Sequence, residues 1–131
     1  MKRSYWIIAI LIGILALWLF IRFFVGGNED NWIKDSRGIW IKHGNPSEIP
    51  NYVLVQQQAI SCALNLYRAN ETKLNFFSQC LGVCENYAVD IVSVPRTSDD
   101  NLIENQCSDY IDGKVGQFIE LNKYGNIVRV V

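Results

Sequence analysis

The hydrophobic positions of this chain are concentrated in one continuous run near the start of the sequence. Residues 5–25 are almost entirely apolar, with Arg22 as the single charged side chain. A helix rises about 1.5 Å per residue, so a run of this length spans roughly 30 Å and matches the hydrocarbon core of a bilayer. The pattern predicts a cytoplasmic N-terminus and transmembrane helix within residues 1–25, a linker at residues 26–30 and a folded domain over residues 31–131.

Beyond the linker, the hydrophobic spacing alternates between that of strands and that of helices. Runs with a period of two predict strands at residues 31–34, 38–42, 87–94, 117–121 and 127–131. Helical spacing predicts helices at residues 49–67, with Ser47 as the cap, and 98–111, capped by Thr97 or Ser98. Residues 76–86 fit a short helix or a loop. Together these elements predict an α+β fold, with a mainly antiparallel sheet covered by two helices.

Charges beside the apolar run indicate how the chain crosses the membrane. Lys2 and Arg3 precede the run, whereas Glu29 and Asp30 are the first charges after it. Because basic residues beside a span stay on the cytoplasmic side, we expect a cytoplasmic N-terminus and an extracytoplasmic domain. A signal peptide cleaved near residues 25–27 is the alternative. The apolar run exceeds the usual length of about 7 to 15 residues for the apolar core of a signal peptide, which favours an uncleaved, single-pass signal anchor.

The balance of charge restricts the class of partner. The residues after the span hold all thirteen acidic residues but nine of the twelve basic ones, so their formal charge is −4. This charge disfavours nucleic acid, whose binding needs clustered basic side chains. The predicted partners are the lipid bilayer and another protein of the cell envelope. Ala9 and Gly13 have the spacing found in helix dimers, but this spacing is common by chance, so the oligomeric state stays open.

Four cysteines lie in the predicted extracytoplasmic part: Cys62, Cys80, Cys84 and Cys107. An even number in an oxidising compartment indicates two disulfides. Cys80 and Cys84 supply only half of a typical zinc site, and their spacing differs from the Cys-x-x-Cys of redox enzymes. Cys62 and Cys107 lie on the apolar sides of helices that we expect to cover one sheet face. This placement favours Cys62–Cys107 with Cys80–Cys84, while the two crossed pairings stay open.

Residues suited to chemistry are few, and no catalytic pattern connects them. His43, the single imidazole, and Trp40 lie near a turn and are candidates to face a ligand, although packing at the core edge explains Trp40 better. Asn70 begins a glycosylation sequon. The sequence contains no nucleophile elbow, zinc-protease pattern or phosphate-binding glycine loop. We therefore expect no catalytic, cofactor-binding or metal-binding residue, and we expect His43 in particular to bind no metal.

One segment resembles a pattern known from other proteins. Residues 32–47 contain Trp-Ile and then Gly-Ile-Trp-Ile-Lys-His-Gly-Asn-Pro-Ser. This segment resembles the W-I…G-x-W-V-K-H-G-x-P pattern of small, uncharacterised exported or membrane-anchored microbial proteins, chiefly archaeal ones. Those proteins often carry Cys two residues after the first Trp, where this chain has Lys34. The resemblance implies export and anchoring, and it implies no activity.

These features together predict a membrane-anchored extracytoplasmic interaction or accessory domain. The alternative is a small extracytoplasmic enzyme, either a hydrolase or a thiol oxidoreductase. A pocket that joins His43 to a carboxylate would favour the enzyme, and an exposed apolar patch would favour the interaction domain.

Overall fold

The computed structural model describes residues 2–24, 29–74 and 78–131. Its elements, in chain order, are helix α1 (Lys2–Phe24), strands β1 (Asn31–Lys34) and β2 (Trp40–His43), helix α2 (Asn51–Asn70), strands β3 (Gln79–Cys84) and β4 (Tyr87–Ile91), helix α3 (Ser108–Ile111), and strands β5 (Gln117–Leu121) and β6 (Ile127–Val130). This architecture confirms the predicted α+β class with an N-terminal apolar helix. Most of the predicted linker, and the start of segment 76–86, lie outside the described residues.

The chain divides into two compact units. The first unit contains Met1–Ile33 and Ile41–Ile49, and the second contains Lys34–Trp40 and Pro50–Val131. In the first unit, α1 is exposed at every described side chain and is long and apolar enough to cross a membrane. Near its end, Arg22 pairs with Asp30 at 2.6 Å, and the Asn45 side-chain amide donates to the Phe23 carbonyl at 2.6 Å. The end of α1 is thereby fixed to residues that flank the hairpin of β1 and β2.

The second unit is built on a four-stranded sheet with the order β3-β4-β5-β6, while β1 and β2 form a separate two-stranded sheet. Neighbours in the larger sheet are antiparallel, except that β4 and β5 are parallel. A parallel pair needs a crossover connection, and residues 92–116 provide it. The sheet is therefore mainly antiparallel, as predicted.

The two faces of the larger sheet are covered by different parts of the chain. One face packs against α2 in the main core, whose buried residues include Ala59, Ala63, Tyr67, Val89, Ile91, Ile119 and Leu121. Because side chains alternate along a strand, Ala88 and Phe118 lie on the opposite face, where they pack with Cys107 and Val115 of the crossover. We expected both helical segments on one face, and the structure corrects this expectation.

A bulge in β3 determines which face each cysteine of that strand occupies. Cys80 pairs with Asp90 of β4, and Gly82 pairs with Val89, the neighbour of Asp90. Leu81 therefore has no partner in β4 and is the extra residue of the bulge. One extra residue reverses the alternation of the side chains, and Cys80 and Cys84 therefore point to opposite faces. Gly82 has φ +147°, a value that favours glycine, and so permits the bulge.

The observed disulfides are Cys62–Cys84 and Cys80–Cys107, with Cα–Cα separations of 5.8 and 4.8 Å. The expectation of two disulfides is confirmed, but the favoured pairing of Cys62 with Cys107 and of Cys80 with Cys84 is wrong. That pairing assumed that α2 and the crossover cover the same face. Since they cover opposite faces, each reaches a different cysteine of β3.

The crossover differs from the single helix that was predicted over residues 98–111. It contains two 3₁₀ turns, Ser98–Asn101 and Ile103–Asn105, followed by the four-residue α3. Leu102 and Cys107 have extended backbone angles, and these interrupt the helix. The start of the first turn is as predicted, with Thr97 as its cap.

Two other elements also differ from the sequence-based prediction. Residues 79–84 form a strand rather than a helix or a loop, because the bulge and Gly82 hide the alternation of a strand. Helix α2 begins after Pro50 rather than being capped by Ser47, since the fixed φ of proline suits the start of a helix.

A buried glutamine of α2 holds the segment that precedes β2. Gln56 is 2% exposed. Its Nε2 donates to the Gly38 carbonyl at 3.0 Å, and its Oε1 accepts the Trp40 N–H at 2.8 Å. Gly38 has φ +86°, and a Cβ at this position would collide with the Val130 carbonyl oxygen, so the segment requires glycine. Gln56 thus forms hydrogen bonds with two backbone groups that would have no partner if an apolar side chain took its place.

We predict that peptide mapping of the unreduced full chain will recover a Cys62–Cys84 fragment and a Cys80–Cys107 fragment. The bridged residues are 22 and 27 positions apart, so the chain-entropy estimate is about 3.5 kcal/mol for each bridge. Cys62→Ser and Cys80→Ser should therefore destabilise the domain similarly, whereas the pairing favoured from sequence predicts a much larger effect of Cys62→Ser. A fragment that links Cys62 to Cys107 would refute the structure on this point.

We predict that Gln56→Leu lowers the free energy of unfolding by about 2 to 3 kcal/mol, because it leaves the Trp40 N–H and the Gly38 carbonyl without partners. Denaturation of the full chain in detergent, followed by tryptophan fluorescence, measures this change. Gln57→Leu, at the next and exposed position of α2, is the matched control and should change stability by less than about 0.5 kcal/mol. Equal effects of the two substitutions would contradict the role of Gln56.

Candidate functional site

The second face of the larger sheet carries one cysteine and three charged side chains in one line. The strand register places Cys80 opposite Asp90, Asp90 opposite Glu120, and Glu120 opposite Arg129. Partners in a register point to the same face of a sheet. Cys80, Asp90, Glu120 and Arg129 therefore form a row across all four strands, which we call the cross-strand row.

Glu120 lies at the centre of a charge cluster within this row. Its carboxylate is buried and accepts Arg96 Nη1 at 2.8 Å, Arg129 Nε at 3.0 Å and Arg129 Nη2 at 3.1 Å. The Arg129 guanidinium also lies 4.9 Å from the ring centroid of Phe118. Both arginine side chains are nearly half exposed. Two cations thus offset the charge of Glu120 and connect it to the surface.

Asp90 differs from Glu120 because it lies next to a disulfide. Its Oδ1 lies 3.2 Å from Cys107 Sγ. Burial, followed by repulsion from the neighbouring Glu120, raises the pKa of Asp90 to about 6, although the Cys107 N–H and Arg96 oppose this shift. Two adjacent carboxyl groups are thus placed in different environments, a pattern that is typical of sites for proton transfer.

Asp100 holds in place the segment that follows β4 and that carries Arg96. Its carboxylate accepts the backbone N–H of Ser93 at 2.8 Å and that of Thr97 at 2.7 Å. Burial opposes the ionisation of Asp100, but these bonds and the hydroxyls of Ser78 and Thr97 outweigh it and lower its pKa. The segment that carries Arg96 is therefore held against the sheet.

These side chains enclose a cavity of about 140 Å³. Its lining residues are Ser78, Asp90, Val92, Arg96, Asp100, Asn105, Gln106, Tyr110, Phe118, Glu120 and Arg129. A drug-sized ligand needs about 300 Å³ or more, so this cavity suits a few water molecules or one small polar group.

The two cysteines of the disulfide at the end of the cross-strand row differ in their exposure to solvent. Cys80 is exposed on the edge strand β3, whereas Cys107 is 1% exposed. Ligand atoms of Cys80, Asp90 and Cys107 lie within 4.8 Å of one another. Both sulfurs are bonded to each other, so neither is a thiolate that could bind a metal in this state. The arrangement instead places a carboxyl group beside a sulfur–sulfur bond.

The site residues that were proposed from sequence lie elsewhere. His43 is exposed at the end of β2, and within the described part of the chain its imidazole has no hydrogen-bond partner. The ring centroids of Trp40 and Tyr52 lie 4.8 Å apart. Lys34 Nζ lies 5.2 Å from the centroid of the Trp40 ring. The roles of Trp40 and His43 toward a ligand, and the absence of metal at His43, stay predictions.

Asn70, the glycosylation candidate, lies at the end of α2. Its side-chain nitrogen, which would carry a glycan, donates a hydrogen bond to the Leu66 carbonyl at 2.8 Å. Attachment of a glycan would require this side chain to turn outward. The use of the sequon stays a prediction.

Asp90, Glu120 and Arg129 were not predicted from the sequence to form a group. The available signal was the presence of charged residues inside strands that are otherwise apolar, since such residues are rarely buried without partners. Their meeting depends on the pairing of strands that are thirty residues apart in sequence, as Asp90 and Glu120 are.

Comparison of the chain with protein-family models, curated proteins and solved structures gives no match. We therefore infer function from helix α1, the disulfides and the cross-strand row.

We predict that Asp90→Asn stabilises the protein at pH 7 and has little effect at pH 4. A carboxyl group with a raised pKa in the folded state binds its proton more tightly there than in the unfolded state. Its contribution to stability is therefore complete below about pH 4 and is lost as the pH rises through about 6. Partial exposure reduces the expected gain at pH 7 to roughly 1 to 2 kcal/mol.

Denaturation of both proteins in detergent at pH 4, 5, 6 and 7 measures this difference. Asp99→Asn changes an exposed carboxylate of the crossover and serves as the control for loss of one charge. The same effect of Asp90→Asn at pH 4 and pH 7 would contradict the prediction.

Proposed function

We propose that this chain is a membrane-anchored extracytoplasmic domain that serves another envelope protein as an accessory or interaction domain. One observation carries the proposal: a fully exposed apolar helix of membrane-spanning length and two disulfides occur in the same chain. An apolar helix of this kind either lies in a lipid bilayer or is cleaved off as part of a signal peptide. Disulfides are typical of oxidising compartments, which indicates that the domain lies outside the cytoplasm.

Contacts within the first unit support an uncleaved anchor. The Asn45 side chain caps the Phe23 carbonyl, one of the carbonyls that a helix end leaves without a partner. The Arg22–Asp30 pair lies at the same end of α1. A signal peptide that is removed would have no use for such contacts with the mature chain. They would hold the hairpin at the level of the lipid headgroups, where Trp32 is a favoured residue.

The exposed apolar side chains of the first unit support a partner. Ile33, Ile41 and Ile49 are 39%, 41% and 48% exposed. Ile33 and Ile41 lie on the hairpin and Ile49 lies in the segment that follows it, and exposed apolar side chains that form a patch are typical of a contact surface. Their position after the anchor favours a partner in or beside the same membrane.

We predict that an impermeant maleimide will label Lys123→Cys in intact cells but will not label Lys2→Cys. The four native cysteines are in disulfides, so each variant adds one thiol, and labelling of the unsubstituted chain gives the background from any opened disulfide. Permeabilised cells are the control, in which both variants should react. Labelling of Lys2→Cys in intact cells, protection of Lys123→Cys, or a mature chain that lacks residues 1–25 would contradict the proposed anchor and orientation.

The accessory role is tested in the same cells with a photocrosslinking residue at Ile41. We expect a discrete protein adduct from Ile41 and none from Glu85, an exposed position in the β3–β4 turn. Crosslinks from Ile41 to lipid alone would contradict a protein partner while leaving the anchor intact.

A further inference from the structure

The Cys80–Cys107 disulfide joins an exposed sulfur-bearing residue to a buried one. Cys80 lies exposed on the edge strand, and Cys107 is 1% exposed beneath it. A thiolate from solution can therefore approach Cys80 but not Cys107. Attack at Cys80 breaks the sulfur–sulfur bond and releases Cys107 as the leaving group.

The surroundings of Cys107 oppose a negative charge on its sulfur. Its Sγ lies 3.4 Å from the Gly82 carbonyl oxygen, 3.5 Å from that of Val89 and 3.2 Å from Asp90 Oδ1. Each of these oxygens carries negative charge or the negative end of a dipole. A thiolate released here would be buried among them and costly to form. Departure of Cys107 therefore requires a proton at the same place.

Asp90 is the group that can supply this proton. Its Oδ1 is the nearest of the three oxygens, and it belongs to the one ionisable side chain among them. We propose that Cys80–Cys107 is a redox-active disulfide, in which Cys80 accepts attack by the thiolate of an incoming thiol and Asp90 transfers a proton to the departing sulfur of Cys107. This activity goes beyond the proposed anchoring and accessory role.

The step balances in both directions. The incoming thiolate forms a bond to Cys80 Sγ, the Cys80–Cys107 bond breaks, and the electron pair remains on Cys107, which takes the proton of the Asp90 carboxyl group. The products are a mixed disulfide at Cys80, a Cys107 thiol and an Asp90 carboxylate. In the reverse direction the carboxylate removes the thiol proton, and Cys107 attacks Cys80 to expel the thiolate. A second thiolate of the incoming molecule can instead resolve the mixed disulfide, which oxidises that molecule and leaves Cys80 and Cys107 reduced.

The other disulfide provides an internal comparison. Cys84 is 1% exposed and lies with Cys62 in the apolar core between α2 and the sheet. No ionisable side chain within the described residues is bonded to either sulfur. Cys62–Cys84 is therefore expected to remain closed under conditions that open Cys80–Cys107.

Several charged and titratable groups line the same cavity as Asp90. They are Glu120 of β5, Arg129 of β6, Arg96 and Asp100 of the crossover and Tyr110 of α3. The arginines bond to Glu120, so Asp90 carries the proton whose loss changes the charge next to Cys107. The protonated form of Asp90 assists opening of the disulfide. The ionised form opposes opening, because it would face a second negative charge.

The experiment measures disulfide opening in the full chain in detergent, with glutathione as the probe. Samples are quenched in acid and alkylated, and mass spectrometry then identifies the modified cysteine. We expect glutathione on Cys80, with Cys80–Cys107 opening at least about tenfold faster than Cys62–Cys84. This experiment uses the native chain alone. A glutathione adduct on Cys107, or equal opening rates for the two disulfides, would overturn the proposal.

The role of Asp90 is read from the pH profile between pH 5 and 8. Rates are divided by the concentration of glutathione thiolate, so that only the protein contributes to the profile. We expect the normalised rate of the native protein to fall as the pH rises through about 6, where the pKa of Asp90 lies. Asp90→Asn should remove this fall and lower the rate at pH 5 by about tenfold or more. Asp99→Asn should keep the native profile.

Identical profiles for the native protein and Asp90→Asn would overturn the role of Asp90. A parallel series uses a short cysteine-containing peptide in place of glutathione. A faster reaction of the peptide indicates that the thiol comes from a polypeptide, and a faster reaction of glutathione indicates a small thiol. Failure of both to form an adduct at Cys80 would overturn the proposal.

Discussion

The single extra residue in β3 is the constraint on which the domain depends. Leu81 reverses the alternation of side chains, so Cys80 and Cys84 of the same short strand face opposite layers. One disulfide then ties β3 to α2, and the other ties it to the crossover. Without the bulge, both cysteines would face one layer, and the other layer would lose its covalent attachment.

The crossover also brings two carboxyl groups together, because it makes β4 and β5 parallel neighbours. Asp90 and Glu120 become partners in the register and lie side by side. Two arginines bond to Glu120, whereas the contact of Asp90 is with the sulfur of Cys107. The same sheet face thus combines an ion cluster around Glu120 with a carboxyl group that lies beside a disulfide.

Local patterns predicted the elements that have a clear period of their own. The apolar helix, the β1–β2 hairpin, most of α2 and the strands β5 and β6 follow from spacing alone. Strand β3 was missed because Gly82 and Leu81 interrupt its alternation. The disulfide pairing and the cross-strand row could not be derived, because each depends on which layer covers which face and on the register of distant strands. No local spacing carries that information.

The segment held by Gln56 has a consequence for the outer strand of the sheet. The Arg37 carbonyl accepts the Val130 N–H of β6 at 2.7 Å, and so occupies a donor that would otherwise be offered to another chain. At the opposite border of the sheet, the bulge makes β3 irregular. Open, regular borders are templates for aggregation between copies. In the proposed membrane-anchored chain, where copies would meet at high local density, the bonded donor of β6 and the bulge of β3 both oppose the addition of a foreign strand.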